Sequence, residues 1–145
     1  MIFMKKVGLA LGAGGSLGLA HLGVLEVFEK NNIPINFISG SSIGAIVAAH
    51  YALHKDLNRL NDDAISFIKD NNFKVFGVET VMQKSLILKR IKFFFESVFG
   101  NKKFSDCKIP LAITAVDIET GKLVILNKGL IKDAVMASMS IPIVF

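Results

Sequence analysis

With one cysteine, Cys107, in 145 residues, the chain has no disulfide framework and no cysteine-built metal cluster. A reducing, cytoplasmic setting suits that composition. Acidic residues are outnumbered, twelve to seventeen Lys and Arg, which leaves a net charge of +5 and points to an anionic partner. The cations form no dense block and no aromatic-basic motif, so a lipid or phosphate surface is expected ahead of nucleic acid. No window reaches the roughly 20 apolar residues that span a bilayer. The nearest approach, residues 7–25 behind Lys5 and Lys6, is broken by Gly8, Gly12, Gly14, Gly15, Gly18 and Gly23 and carries His21. It reads as neither a signal peptide nor a membrane span. At this length the chain is one domain at most, and its 52% apolar content is enough for a substantial core.

What is present is organised around Gly40-Ser41-Ser42-Ile43-Gly44. An apolar run over 33–38 leads into it and a helix-like run over 43–53 follows at once. Strand, tight turn, helix is the context that a Gly-x-Ser-x-Gly nucleophile elbow requires, with the glycines making room and the hydroxyl left exposed. Ser42 is therefore the candidate nucleophile.

Upstream, a buried strand over 6–11 runs into Gly12-Ala13-Gly14-Gly15-Ser16-Leu17-Gly18. A helix follows, with Leu17, His21, Val24 and Phe28 along one apolar stripe; Asn31-Asn32 ends it and Pro34 blocks continuation. Two consecutive βα units imply parallel strands with right-handed crossovers, an α/β fold with both loops at the carboxyl edge of one sheet. Past the elbow, a helix is expected over 57–69 and no pattern emerges over 70–83. Residues 85–99 read as a helix in which Phe93, Phe94 and Phe95 stand beside Lys89, Arg90 and Lys92. A core helix with basic solvent-facing residues is favoured over one whose phenylalanines enter lipid. Two strands, 110–117 and 122–126, form a hairpin, and a last helix covers 130–138. The sequence then stops in an apolar segment, from which part of the domain is expected to be missing.

A serine needs a base and its oxyanion needs donors. The backbone N–H groups near Gly14 and Gly15 are candidates for the donors. A dinucleotide site is the rival, but Leu17 stands where the third glycine of GxGxxG is required and the second strand lacks the acidic residue for a ribose. The P-loop lysine is also absent. The histidines, His21, His50 and His54, all precede the mid-chain, so a Ser, Asp/Glu, His order cannot be completed. His50 lies eight residues along the helix from Ser42, about 12 Å, too far for direct proton transfer. His21 is expected to be a satisfied core residue, and Asp117, before a turn, is a weak candidate for the base.

These landmarks together resemble those of the patatin-like phospholipases: Gly12 to Gly18, Ala20-His21-Leu22-Gly23-Val24-Leu25, Gly40 to Gly44, and Ala137-Ser138-Met139-Ser140-Ile141-Pro142-Ile143-Val144-Phe145. The resemblance covers nearly the whole chain. It implies a three-layer α/β fold, with a mostly parallel central sheet flanked by helices. It also implies a cofactor-free acyl hydrolase of membrane lipids or other acyl esters that uses a Ser–Asp dyad. Ser42 takes the nucleophile's place; Gly14 and Gly15, with Ala13 or Gly12 beside them, take the oxyanion positions. Peripheral membrane contact is an accessory expectation. Two departures stand out. Leu17 replaces the family's usual Arg or Lys, and the Asp-Gly motif that supplies the dyad aspartate is missing from residues 1–145. The chain is therefore expected to be a single, incomplete patatin-like domain; the alternative is a non-catalytic lipid-binding relative.

Overall fold

The computed structural model describes residues 6–71 and 81–140. In chain order these form β1 (Gly8–Leu11), a tight 3-10 turn (Gly15–Leu19), α1 (Ala20–Lys30), β2 (Phe37–Gly40) and α2 (Ile43–His54). There follow α3 (Leu57–Asn71), α4 (Val81–Phe99), a second 3-10 turn (Phe104–Asp106), β3 (Leu111–Val116), β4 (Leu123–Leu126) and α5 (Ile131–Met139). The four strands form one open sheet in the order β1-β2-β3-β4. The first three are parallel and β4 returns antiparallel to β3, so the α/β reading from sequence holds.

The second strand starts later than its apolar run suggests. Ile33 N–H still bonds back to Phe28 C=O behind Asn32 at φ 53°, and the N–H groups of Asn36 and Phe37 both reach Val7 C=O. Pairing with β1 therefore begins only at Phe37 and continues to Gly40, which lies opposite Leu11. Pro110, which has no N–H, precedes β3, yet its carbonyl accepts the Ile38 N–H.

The core is built on α2, buried from Gly44 to Leu53. Its small residues, Ala45, Ala48, Ala49 and Ala52, let its backbone lie close to the sheet. Leu11, Ile38, Leu111 and Ile113 form the sheet's buried face, and α5 adds Ile131, Ala134 and Val135. Two polar ties fasten the layer: Lys108 and Ile109 N–H groups both bond to Ala52 C=O, and Tyr51 Oη donates to Glu29 of α1 at 2.8 Å. Burial and that carboxylate push the Tyr51 phenol well above its ordinary range.

The phenylalanine triplet divides as a core helix demands. Ile91, Phe95, Val98 and Phe99, at i, i+4, i+7 and i+8, make the buried stripe. Phe94 is half-buried with its ring 4.6 Å from that of Phe67 on α3, and Phe93 is 77% exposed. Of the three, only Phe93 is free to meet a surface. Cys107, half-buried, has its thiol pushed up to about 11 by burial and then by Asp106, which makes it a poor nucleophile.

Candidate functional site

β1 and β2 deliver the two glycine motifs to one edge of the sheet. Leu11 C=O accepts the Ser41 N–H at 3.1 Å, so the loop after β1 and the turn after β2 touch directly. Ser42 sits at φ 53°, ψ −122°, a conformation that side-chain-bearing residues avoid and that costs on the order of 1–3 kcal/mol. The surroundings over-determine it. Ser41 C=O accepts Gly44 N–H and Ser42 C=O accepts Ala45 N–H, each at 2.9 Å, which starts α2 immediately.

The flanking glycines are steric necessities. A Cβ on Gly40 would run into the Gly44 carbonyl, and one on Gly44 into the carbonyl oxygens of Leu11 and Gly12. A Cβ on Gly18 would strike the Ile43 side chain, which fixes the turn after the glycine loop against the start of α2. Gly15 has φ 54° and opens that turn, where the leading N–H groups of a helix have no intrahelical partner. Gly14 lies at φ 166°, ψ 8°, and both it and Ala13 are exposed. The oxyanion candidates and Ser42 thus share one edge, with the positive end of α2 behind the serine.

Two residues hold this edge in place, and neither role is legible from the residues around them in the chain. Ser138 on α5, 96 residues beyond Ser42 in the chain, accepts the Ser42 N–H at 2.8 Å and donates its own proton to Thr114 C=O at 2.6 Å, bridging the elbow to β3. His21 is not the core histidine expected: it is only half-buried, and its Nε2–H donates to Gly12 C=O at 2.9 Å. It braces the glycine loop.

The other titratable candidates lie elsewhere. The Asp117 carboxylate accepts the N–H groups of Glu119 and Thr120, which holds it below the usual carboxylate range in an exposed turn. These bonds give it a structural role in the turn. His50 is 1% exposed and faces Asp63 of α3, Nε2 to Oδ2 at 2.7 Å. Because a carboxylate only accepts, Nε2 carries the proton and Nδ1 is a bare, unpartnered lone pair. Burial outweighs Asp63 and lowers the pKa of His50; His54, whose ring lies 4.8 Å away, is lowered by burial, then by His50 and Arg59. Leu17 projects outward beside the loop, 80% exposed. Among the described residues no cluster of His, Cys, Asp or Glu could hold a metal, and no helix is long and apolar enough to cross a membrane.

A family model of patatin-like phospholipases matches residues 9–145. The chain belongs to this family. Residues of this patatin-like chain are 51% identical over 53 positions to Lysophospholipase NTE1 of Pyricularia oryzae, covering 37% of the chain and 4% of that protein. An uncharacterised NTE family protein of Mycobacterium bovis is 29% identical over 137 residues, 94% of the chain and 38% of that relative. The type III effector ExoU shares the fold, with a TM-score of 0.57 over 94% of this chain and 40% of its own, at 16% identity. The patatin-like chain thus spans about two fifths of these last two proteins, and its α/β fold matches that of the effector.

Proposed function

We propose that the protein is a serine acyl-ester hydrolase of phospholipid or lysophospholipid, and that residues 1–145 are the N-terminal portion of its catalytic domain. The observation that carries the reading is the left-handed φ of Ser42 at a strand-to-helix turn, set beside the glycine loop. Ser42 Oγ attacks the ester carbonyl and its proton passes to an aspartate of the family's Asp-Gly motif, a dipeptide that this sequence does not contain. The carbonyl oxygen becomes an oxyanion bound by N–H groups of Gly14 and Gly15, with Ala13 beside them. The C–O bond of the leaving alcohol then breaks, the alcohol takes the proton, and water releases the acyl group from Ser42 by the same steps. Residues 1–145 alone should be nearly inactive, since losing a general base typically costs about 10²–10⁴-fold.

The test is labelling by a fluorophosphonate, with residues 1–145 and a longer chain containing the Asp-Gly motif compared, each beside its Ser42→Ala variant. Labelling of the longer chain alone, lost in Ser42→Ala, is the expected result. No labelling of either would replace this reading with the non-catalytic lipid-binding one. Peripheral membrane contact through α4 belongs to the same proposal, with Phe93 as the residue to test.

A further inference from the structure

Beside the elbow lies a partly open cavity of about 240 Å³ lined by α1, α2, α3 and α4. At one end are Ser16, next to the glycine loop, and Ile43, next to Ser42; at the other are His50 and Asp63. Leu22, Val47, Leu60 and Phe94 line the walls between them. We propose that this cavity holds a single acyl chain of about eight to ten carbons, and that the His50–Asp63 pair is its end stop.

The occupant follows from position, size and lining. Ile43, Ile46, Val47 and His50 are spaced i, i+3, i+4 and i+7, so one face of α2 forms the wall from the elbow to the stop. That face is about 10 Å long at 1.5 Å per residue, the length of roughly eight methylenes in an extended chain. The volume lies below the roughly 300–1,000 Å³ of sites that enclose drug-sized ligands, which suits one chain and leaves no room for two. The lining is apolar except at its ends, as an alkyl tail requires. At the far end, further carbons would have to part His50 Nε2–H from Asp63 at 2.7 Å, leaving a buried donor without a partner in an apolar space. The assignment rests on Ser42 being the nucleophile, since the chain's carboxyl carbon must sit at the Ser16 and Ile43 end.

The experiment measures the rate at which alkyl fluorophosphonates, from ethyl to hexadecyl, label Ser42 in the full-length protein and in Ala64→Phe and Val47→Phe. Ala64 lines the cavity from α3 and is only half-buried, so a larger side chain there intrudes on the space with little demand on the core. The rate should rise by up to about fourfold per methylene as far as eight to ten carbons and no further. The optimum should fall by at least two carbons in the variants, with folding checked by circular dichroism. An optimum that stays put in a folded Ala64→Phe, or a rise that continues to hexadecyl, overturns the proposal and leaves the nucleophile standing. If no probe labels Ser42, the nucleophile assignment fails instead. Displacement of a dansylated fatty acid by decanoate then decides the cavity: tenfold weaker displacement in Ala64→Phe upholds a chain site, and equal or absent displacement removes it.

Discussion

Ser42 is held in its unfavourable conformation by neighbours that leave it no alternative, and the cost of losing each neighbour is calculable. Gly44→Ala drives a methyl group into the Leu11 and Gly12 carbonyls, which are backbone atoms and cannot step aside. Chemical denaturation should show a loss above about 3 kcal/mol, or no folded protein at all. Ser138→Ala is subtler, because it leaves the Ser42 N–H and the Thr114 carbonyl without their shared partner. About 1–3 kcal/mol of stability should go. In the full-length protein, fluorophosphonate labelling of Ser42 should slow as well, and Ser138→Thr, which keeps the hydroxyl, should recover both. Equal labelling rates in Ser138→Ala and the parent would show that the elbow keeps its shape without the bridge.

At the scale of the element, α2 and α4 make separable predictions. α2 buries His50 and carries His54, both with pKa values lowered from the ordinary 6.5, so the folded chain holds them neutral. Below about pH 6.5 the unfolded chain takes up protons that the folded chain refuses, and stability falls with pH. The urea midpoint should therefore drop as pH is lowered through and below that value, and His50→Asn should flatten the dependence. A midpoint constant through that range would mean that Asp63 pairs with a protonated His50 after all. On α4, Phe95→Ser should cost about 3–5 kcal/mol because Phe95 is fully buried. Phe93→Ser should stay within about 0.5 kcal/mol, and its liposome co-sedimentation reports on membrane contact with no folding defect to confuse it. Undiminished co-sedimentation would remove Phe93 from that role.

Across the whole molecule, one face of the sheet carries α2 and α5, and the other is largely open among the described residues. Phe37, Val116, Leu123 and Ile125 are all exposed there, and the last two lie on the edge strand β4. An apolar edge of this kind pairs with whatever offers itself. Residues 1–145 alone should self-associate, and Leu123→Lys combined with Ile125→Lys should reduce light scattering without lowering the melting temperature by more than a few degrees. Scattering unchanged by that pair would place the association elsewhere.

The sequence by itself determined whatever depends on residues adjacent in the chain. A left-handed serine, a Cβ with nowhere to go and a helix starting at once are local backbone matters, so Gly40, Ser42 and Gly44 announce the elbow. Two βα units in succession announce the parallel pairing of β1 with β2. The start of β2 was less legible, because it depends on where Asn36 and Phe37 find Val7. Tertiary structure decided the remainder. Ser138 meets Ser42 only because α5 packs on β3, and His50 meets Asp63 only because α3 lies across α2. Which of three consecutive phenylalanines faces water depended on where Phe67 and the core lay. Contacts between residues far apart in the chain leave no periodic trace in either partner's neighbourhood, and only the packing of helices on the sheet creates them.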